Sequence, residues 1–252
     1  MKLVGKVAVV TGGGTGIGRA CSVGLAREGA AVVVNYSRRQ VEAEDTVQSI
    51  VEAGGKAIAV RADVSQDVEA RMLIAQAVET FGRLDILVNN AGWTKRTPHA
   101  ELEKLTEEIL DHTLSVNVKG PLYCTRAAVP TMQAQGAGYV VNITSVAGFM
   151  GIGSSIIYAG SKAALAAMTK SLARALAPQI RVNAVAPGFV DTGFADWPPE
   201  ALAQSISESH IGRLVTPEDV AGAVIYLVTD GTALTGEEIL VDAGIVTLGV
   251  RR

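Results

Sequence analysis

The chain has only two cysteines, Cys21 and Cys124. Two are too few for a disulfide framework and show no CxxC spacing, so both are expected as buried thiols in a reducing compartment. Positive charge is not in excess either: 22 Lys plus Arg stand against 25 Asp plus Glu, and the net charge of -3 gives no field to attract a phosphate backbone or an anionic membrane. Neither nucleic acid nor membrane is therefore an expected partner. No apolar run approaches the ~18 residues of a membrane span, and Met1 to Lys6 lead straight into a strand-like segment, so a cytoplasmic location is expected. The histidines His99, His112 and His210 lie far apart, with no HxxxH or His-Cys grouping. A metal site or a Ser-His-Asp hydrolase has little support, and the three are read as exposed or capping residues. Aromatics are scarce, at 4% of the 252 residues.

What is present is the balance of a folded protein: 48% hydrophobic and 19% charged residues, far from the signature of disorder. No composition shift, low-complexity tract or internal repeat divides residues 1–252, so one domain is expected. Short β-branched runs alternate with longer segments of helical spacing from end to end. The strand candidates are Val7 to Val10, Ala31 to Asn35, Ala57 to Arg61, Asp85 to Val88, Tyr139 to Ile143, Arg181 to Val185 and Glu238 to Val241. Helices are expected over Ile17 to Glu28, Arg39 to Ala53, Gln66 to Phe81, Glu107 to Gln133 and Tyr158 to Leu176. Another is expected to start at Thr216-Pro217-Glu218-Asp219, a capping hydroxyl, a proline and an acid at N3, and to run through Val228. That alternation implies an α/β fold, a doubly wound sheet of about seven parallel strands with helices on both faces. The least patterned stretch, about 188–211, follows a strand end where open α/β sheets hold ligands. It reads as a substrate lid, with an oligomer contact or a packed loop as alternatives.

The first strand ends in Thr11-Gly12-Gly13-Gly14-Thr15-Gly16-Ile17-Gly18 and a helix follows. Glycines allow backbone to approach a pyrophosphate, while a helix N-terminus supplies unpaired N–H groups and partial positive charge. The site therefore suits a dinucleotide. After the second strand, Tyr36-Ser37-Arg38-Arg39 contains no carboxylate to pair with a free ribose 2'-hydroxyl, and Arg38, assisted by Ser37, could hold a 2'-phosphate. NADP(H) is thus favoured over NAD(H), unless the arginines merely open a solvated helix. Asp63-Val64, after the third strand, stands where it could meet adenine; helix capping by Asp63 is a compatible alternative.

Asn89-Asn90-Ala91-Gly92 ends the fourth strand, Ser145 closes the fifth, and Tyr158-Ala159-Gly160-Ser161-Lys162 begins a helix. Residues four apart share one helix face, so the Lys162 ammonium can sit near the Tyr158 phenol. Bringing that phenol from about 10 to about 7 takes roughly 4 kcal/mol of preferential phenolate stabilisation, which the lysine and a positive nicotinamide ring could supply.

These residues resemble the short-chain dehydrogenases/reductases. Thr11-Gly12-x-x-x-Gly16-x-Gly18, Asn89-Asn90-Ala91-Gly92, Asn117, Ser145, Tyr158-x-x-x-Lys162 and Pro187-Gly188 match the family's motifs, across about Lys6 to Gly244. The resemblance implies a single Rossmann-type sheet and hydride transfer between nicotinamide C4 and a carbonyl or secondary alcohol. Tyr158 would be the general acid and base, Ser145 would hold the substrate oxygen, Lys162 the nicotinamide ribose, and Asn117 a relaying water. Pro187, Gly188, Val190 and Thr192 would wall the cofactor, with the Val190 amide and the Thr192 hydroxyl clamping its carboxamide. Homotetramers built on the 107–133 and 158–176 helices are implied as well; Leu165, Met168 and Leu172 have the apolar spacing for that, or for an inward face.

Within the family the chain is most similar to 3-oxoacyl-[acyl carrier protein] reductases and related ketone reductases. Arg126 and Arg174 could help dock an acidic carrier protein, but Gln133 to Gly138 carries no charge where those reductases commonly have basic residues, which puts such docking in doubt. Lys95-Arg96 could meet a small anionic substrate or form a solvated loop, while Trp93, Phe149, Met150, Ile152 and Trp197 suggest an apolar rim suited to acyl, cyclic or terpenoid-like ketones. Alternatives are an NAD-dependent alcohol or sugar dehydrogenase of the same family, a catalytically silent NADP-sensing regulator, and, more weakly, a methyltransferase.

Overall fold

The computed structural model describes residues 1–195 and 197–251. Seven parallel strands form one sheet: β1 (Val7–Val10), β2 (Ala31–Tyr36), β3 (Lys56–Arg61), β4 (Ile86–Asn89), β5 (Gly138–Ile143), β6 (Ile180–Pro187) and β7 (Glu238–Val241), in the order β3-β2-β1-β4-β5-β6-β7. The expected strands agree with these to within one or two residues at each end. Strand order reverses between β1 and β4, and in such sheets the crevice at that switch, beyond the strands' C-terminal ends, is where ligands bind.

Side chains of successive strand residues enter opposite cores, as period-2 geometry requires. Ala8 and Val10, Val32 and Val34, and Ile86 and Val88 pack on one face with Leu25, Ile50 and Val224. Val9, Val33 and Leu87 pack on the other with Leu73, Cys124, Met132 and Ile180. The first face is covered by α1 (Gly16–Arg27), α2 (Gln40–Glu52) and α9 (Pro217–Thr229), the second by α3 (Asp67–Phe81), α5 (Gly120–Ala134) and α7 (Ile156–Leu176). Helices α1 and α9 approach so closely that a Cβ on Gly24 would lie 2.7 Å from Ile225. Helix α9 starts with the expected capping box: Thr216 accepts from the Asp219 N–H, and Asp219 accepts from the Thr216 N–H.

The helix expected over 107–133 is not continuous. It divides into α4 (Glu107–Leu114), a π-helical turn (Ser115–Lys119) and α5. Pro121 has no N–H to return to the carbonyl of Asn117, so a regular ladder cannot pass through this point. Three further short helices are absent from the sequence expectation: α6 (Ala147–Met150), α8 (Pro199–Glu208) and α10 (Ile245–Leu248). Helix α8 lies inside the stretch expected to be a lid, in which Asp196 falls outside the described residues. Both thiols are buried, and burial pushes each up to about 12. Among the described residues, no helix is long and apolar enough to cross a membrane.

Candidate active site

A cleft of about 770 Å³ opens at the C-terminal ends of β1, β4, β5 and β6. Its size lies within the usual range for small-molecule sites. Gly12, Gly14, Thr15, Gly16 and Ile17 line one end. The turn is held by Asn35, whose side-chain oxygen accepts from the Gly12 N–H at 3.2 Å and whose amide donates to the Ala62 carbonyl at 3.0 Å. Gly12 and Gly16 both have left-handed φ, +60° and +50°, a region costly for other residues. A Cβ on Gly14 would lie 2.8 Å from the backbone of Ala43, so this glycine lets α2 close on the turn. Thr15 begins α1 with extended backbone and no side-chain cap, and the first turn holds no acid. Its N–H groups and partial positive charge therefore remain for an external anion. Gly18 does not line the cleft: a Cβ there would sit 2.0 Å from the Gly12 carbonyl, so Gly18 serves close packing of helix on turn.

Farther along, Tyr36, Ser37, Arg38, Asp63 and Val64 line the cleft, together with Arg39. Both arginines are exposed, and among the described residues neither pairs with a carboxylate. Arg39 is the N-cap residue of α2, so the position is a helix start with two unpaired guanidinium groups beside the cleft. Asp63 does not cap α3, whose N-cap is Gln66; it accepts from the Ser65 N–H at 3.0 Å within the preceding turn. A phosphate-accepting helix end, glycines that bring backbone close, and two free guanidinium groups fit a phosphorylated dinucleotide.

Ser145, Tyr158 and Lys162 come together on the cleft wall. Ser145 follows β5 and leads into α6, accepting from the Ala147 N–H at 3.1 Å. A Cβ on Gly148 would lie 2.8 Å from Ala163 N, so glycine lets α6 pack directly on α7. Ser155 caps α7 by accepting from the Tyr158 N–H at 3.2 Å, which fixes Tyr158 in the first turn. The Ser145 hydroxyl lies beside the Tyr158 phenol. Tyr158 is half-buried, and loss of solvent pushes its phenol up to about 12, with the serine hydroxyl pulling the other way. Lys162 is 4% exposed; its ammonium donates to the Ile143 carbonyl at 2.8 Å and lies 5.7 Å from the Tyr158 ring centroid. Burial lowers it to about 8. In the chain alone desolvation dominates at the phenol, and the ammonium is bonded to backbone rather than to the phenol.

Two expected site residues are turned away from the cleft. Asn117 is fully buried in the π turn: its oxygen accepts from the Trp93 N–H at 2.8 Å, and its amide donates to the Trp93 carbonyl at 2.9 Å and to Ser161 Oγ at 3.0 Å. With both amide hydrogens and one acceptor site of its carboxamide engaged, that side chain fixes the loop after β4 against α7. Asn89 is also buried, donating to Asn142 Oδ1 at 2.9 Å and Thr125 Oγ1 at 3.2 Å, a cross-brace between β4, β5 and α5. Its neighbour Asn90 does reach the cleft and donates to the Thr11 and Gly12 carbonyls, tying the β4 end to the glycine turn. Ala91 and Gly92 line the cleft beside it.

The opposite wall is built from Pro187, Gly188, Val190 and Thr192, with Val190 bridging to Val215. Thr192 reaches across to the turn: a Cβ on Gly16 would lie 3.0 Å from its Cβ. Phe194 stands against Tyr158, with ring centroids 6.0 Å apart. His112, expected to be exposed or capping, is instead a half-buried cleft residue, edge-on to Trp93 at 4.6 Å. Its spacing from other titratable residues gave no signal. His210 is exposed and bonds the Gly249 carbonyl at 2.8 Å. Lys95 and Arg96 do not line the cleft, and Arg96 lies over the Trp197 ring, 5.6 Å from its centroid. Phe149 is 49% exposed and outside the cleft, whereas Met150 and Ile152 line it. Arg126 is paired with Asp67 at 2.7 Å and lies over Tyr123, which compensates the charge once offered to a carrier protein. Leu165 is buried and Leu172 packs on the protomer's own core, so these two face inward.

A family profile described as enoyl-(acyl carrier protein) reductase matches residues 12–246. An uncharacterized oxidoreductase of Methylorubrum extorquens is 45% identical, covering 97% of this chain and 99% of that protein. A 3-oxoacyl-[acyl-carrier-protein] reductase of Synechocystis is 40% identical over 97% and 98% of the two chains. Among solved structures, a doubly substituted short-chain dehydrogenase/reductase of Serratia marcescens superimposes with a TM-score of 0.89, at 38% identity and 97% and 99% coverage.

Proposed function

The chain belongs to the short-chain dehydrogenase/reductase family and is an oxidoreductase acting on CH–OH or C=O groups with a nicotinamide cofactor; from that premise we propose that it is an NADPH-dependent ketone reductase. The observation that carries this reading is the convergence of Ser145, Tyr158 and Lys162 on the wall of the cleft that begins at the glycine turn. When bound, the cofactor supplies the hydride. Tyr158 delivers the proton to the carbonyl oxygen, or removes it in the alcohol direction, and Ser145 holds that oxygen by hydrogen bond. With its phenol raised by burial, Tyr158 carries its proton at neutral pH, as a proton donor must. In this reading Lys162, fixed by the Ile143 carbonyl, binds a ribose hydroxyl and returns a proton to Tyr158.

Arg38 and Arg39 support NADP(H) over NAD(H), and in this reading Asp63, which lines the cleft, accepts from the adenine amine. The Thr192 hydroxyl and the Val190 amide are proposed to hold the carboxamide. The segment 188–211 acts as the lid, and assembly as a homotetramer is expected. A ketone and 3-oxoacyl thioester panel with both cofactors, read at the nicotinamide absorbance band, tests the reading; an enoyl thioester belongs in it because of the profile's description. We expect carbonyl reduction with NADPH, and Arg38→Ala to raise the KM for NADPH by about tenfold or more while moving that for NADH little. Equal use of both cofactors by the unaltered enzyme would remove the preference.

A further inference from the structure

The sequence contains two tryptophans and four phenylalanines. Both tryptophans, Trp93 and Trp197, and two of the phenylalanines, Phe189 and Phe194, line the one cleft. They stand on opposite walls. Trp93 follows β4, held through its backbone by Asn117, and meets His112 edge-on. Phe189 and Trp197 form a tilted pair at 5.1 Å on the segment after β6, with Arg96 over the outer face of Trp197. Between the walls, Phe194 lies 6.0 Å from the Tyr158 ring and within contact of Gly92, where a Cβ would be 3.6 Å from its ring. It is nonetheless 45% exposed, an apolar ring left partly in water beside the proton donor.

Polar groups in this half of the cleft are largely engaged with one another. Thr94 Oγ1 and Ser154 Oγ share a 2.6 Å hydrogen bond, and Gln204 donates to Glu208 at 2.7 Å. Glu208 is the acid of this region, and the nearest arginine, Arg96, is not part of the lining. At the aromatic end an anionic substrate would meet the Glu208 acid, and the cation of the cleft wall, Lys162, is already bonded to the Ile143 carbonyl. Aromatic walls instead recognise flat rings by offset or edge-to-face contact.

Resting on the ketone-reductase reading, we propose that the Trp93, His112, Phe194 and Trp197 side chains form a subsite for an uncharged ketone bearing an aromatic ring fused to or beside the carbonyl-bearing ring, without a carrier protein. The subsite holds the ring between the β4 loop and the lid, with the carbonyl turned to Tyr158 and Ser145.

The test compares 2-tetralone with cyclohexanone, which lacks the fused benzene ring, and with an acetoacetyl thioester of N-acetylcysteamine, all with NADPH. The expected kcat/KM ratio of tetralone to cyclohexanone is about tenfold or more, the thioester being poorer than tetralone. Phe194→Leu should reduce that ratio by about fivefold or more, and Phe194→Tyr, which keeps the ring, should retain it. Since the only tryptophans lie on the two walls, 2-tetralone should also quench their fluorescence saturably in the NADP+ complex, and cyclohexanone should not. A ratio near one, a better thioester, or a ratio unmoved by Phe194→Leu overturns the subsite while leaving the reductase reading intact. So does a matching loss of NADPH affinity in Phe194→Leu, because the ring would then belong to the cofactor wall. If no ketone or thioester is reduced with either cofactor, the reductase reading falls and the subsite falls with it.

Discussion

Lys162 is electrostatically unusual, because its buried ammonium has a single backbone carbonyl as its bonded partner. Its value falls from 10.5 to about 8 by desolvation. The unfolded chain therefore binds the proton more tightly, and between about pH 8 and 10.5 stability rises with pH. We expect the stability of the unaltered protein relative to Lys162→Met to increase by about 3 kcal/mol across that window, measured by denaturant unfolding. A flat difference would place the ammonium in water. Tyr158 and Ser145 were legible in the sequence through their spacing, and the structure brings them together on the cleft wall. The balance between desolvation and charge around the phenol was not legible, since it depends on which acceptor the lysine finds after folding. Asn117 was expected beside a relaying water, but motif spacing says nothing of where a carboxamide points, and the structure turns it to Trp93 and Ser161.

At the scale of elements, strands were readable because seven short β-branched runs bounded by glycine and polar turns carry period-2 burial into two cores. The capping box at Thr216 was equally explicit, and its removal by Thr216→Ala is expected to cost about 1 kcal/mol of stability without altering kcat. An unchanged unfolding midpoint would mean that Arg213, which also holds Asp219, anchors this helix start by itself. The break inside 107–133 was hidden by apolar spacing that continues across it; the clue was Pro121, whose missing N–H releases the ladder at Asn117. That break has consequences for the site, since it sends Asn117 inward to Trp93 and leaves His112 on the cleft. Helix α8 was missed because ten residues of mixed polarity following Trp197-Pro198 offer little periodicity, and its face is set by the cleft it covers rather than by the sheet.

Across the whole molecule, the reversal of strand order between β1 and β4 lets one cleft run from the unpaired arginines beyond β2, past the glycine turn, to the Tyr158 wall and the aromatic lid. Length and composition alone could only bound such an architecture; the alternation of strands and helices made it readable, and the placement of the glycine and tyrosine motifs on it made the cleft readable too. The ring-lined end was foreshadowed only as an apolar rim, because the residues that build it come from three distant segments. The central claim is that Tyr158 is the proton donor beside a bound nicotinamide. Replacing it with Phe and following the disappearance of NADPH in the presence of a ketone that the unaltered enzyme reduces tests this directly. The rate should fall by about 10²–10⁴-fold while the affinity for NADPH is retained; reduction continuing near the original rate would contradict the account.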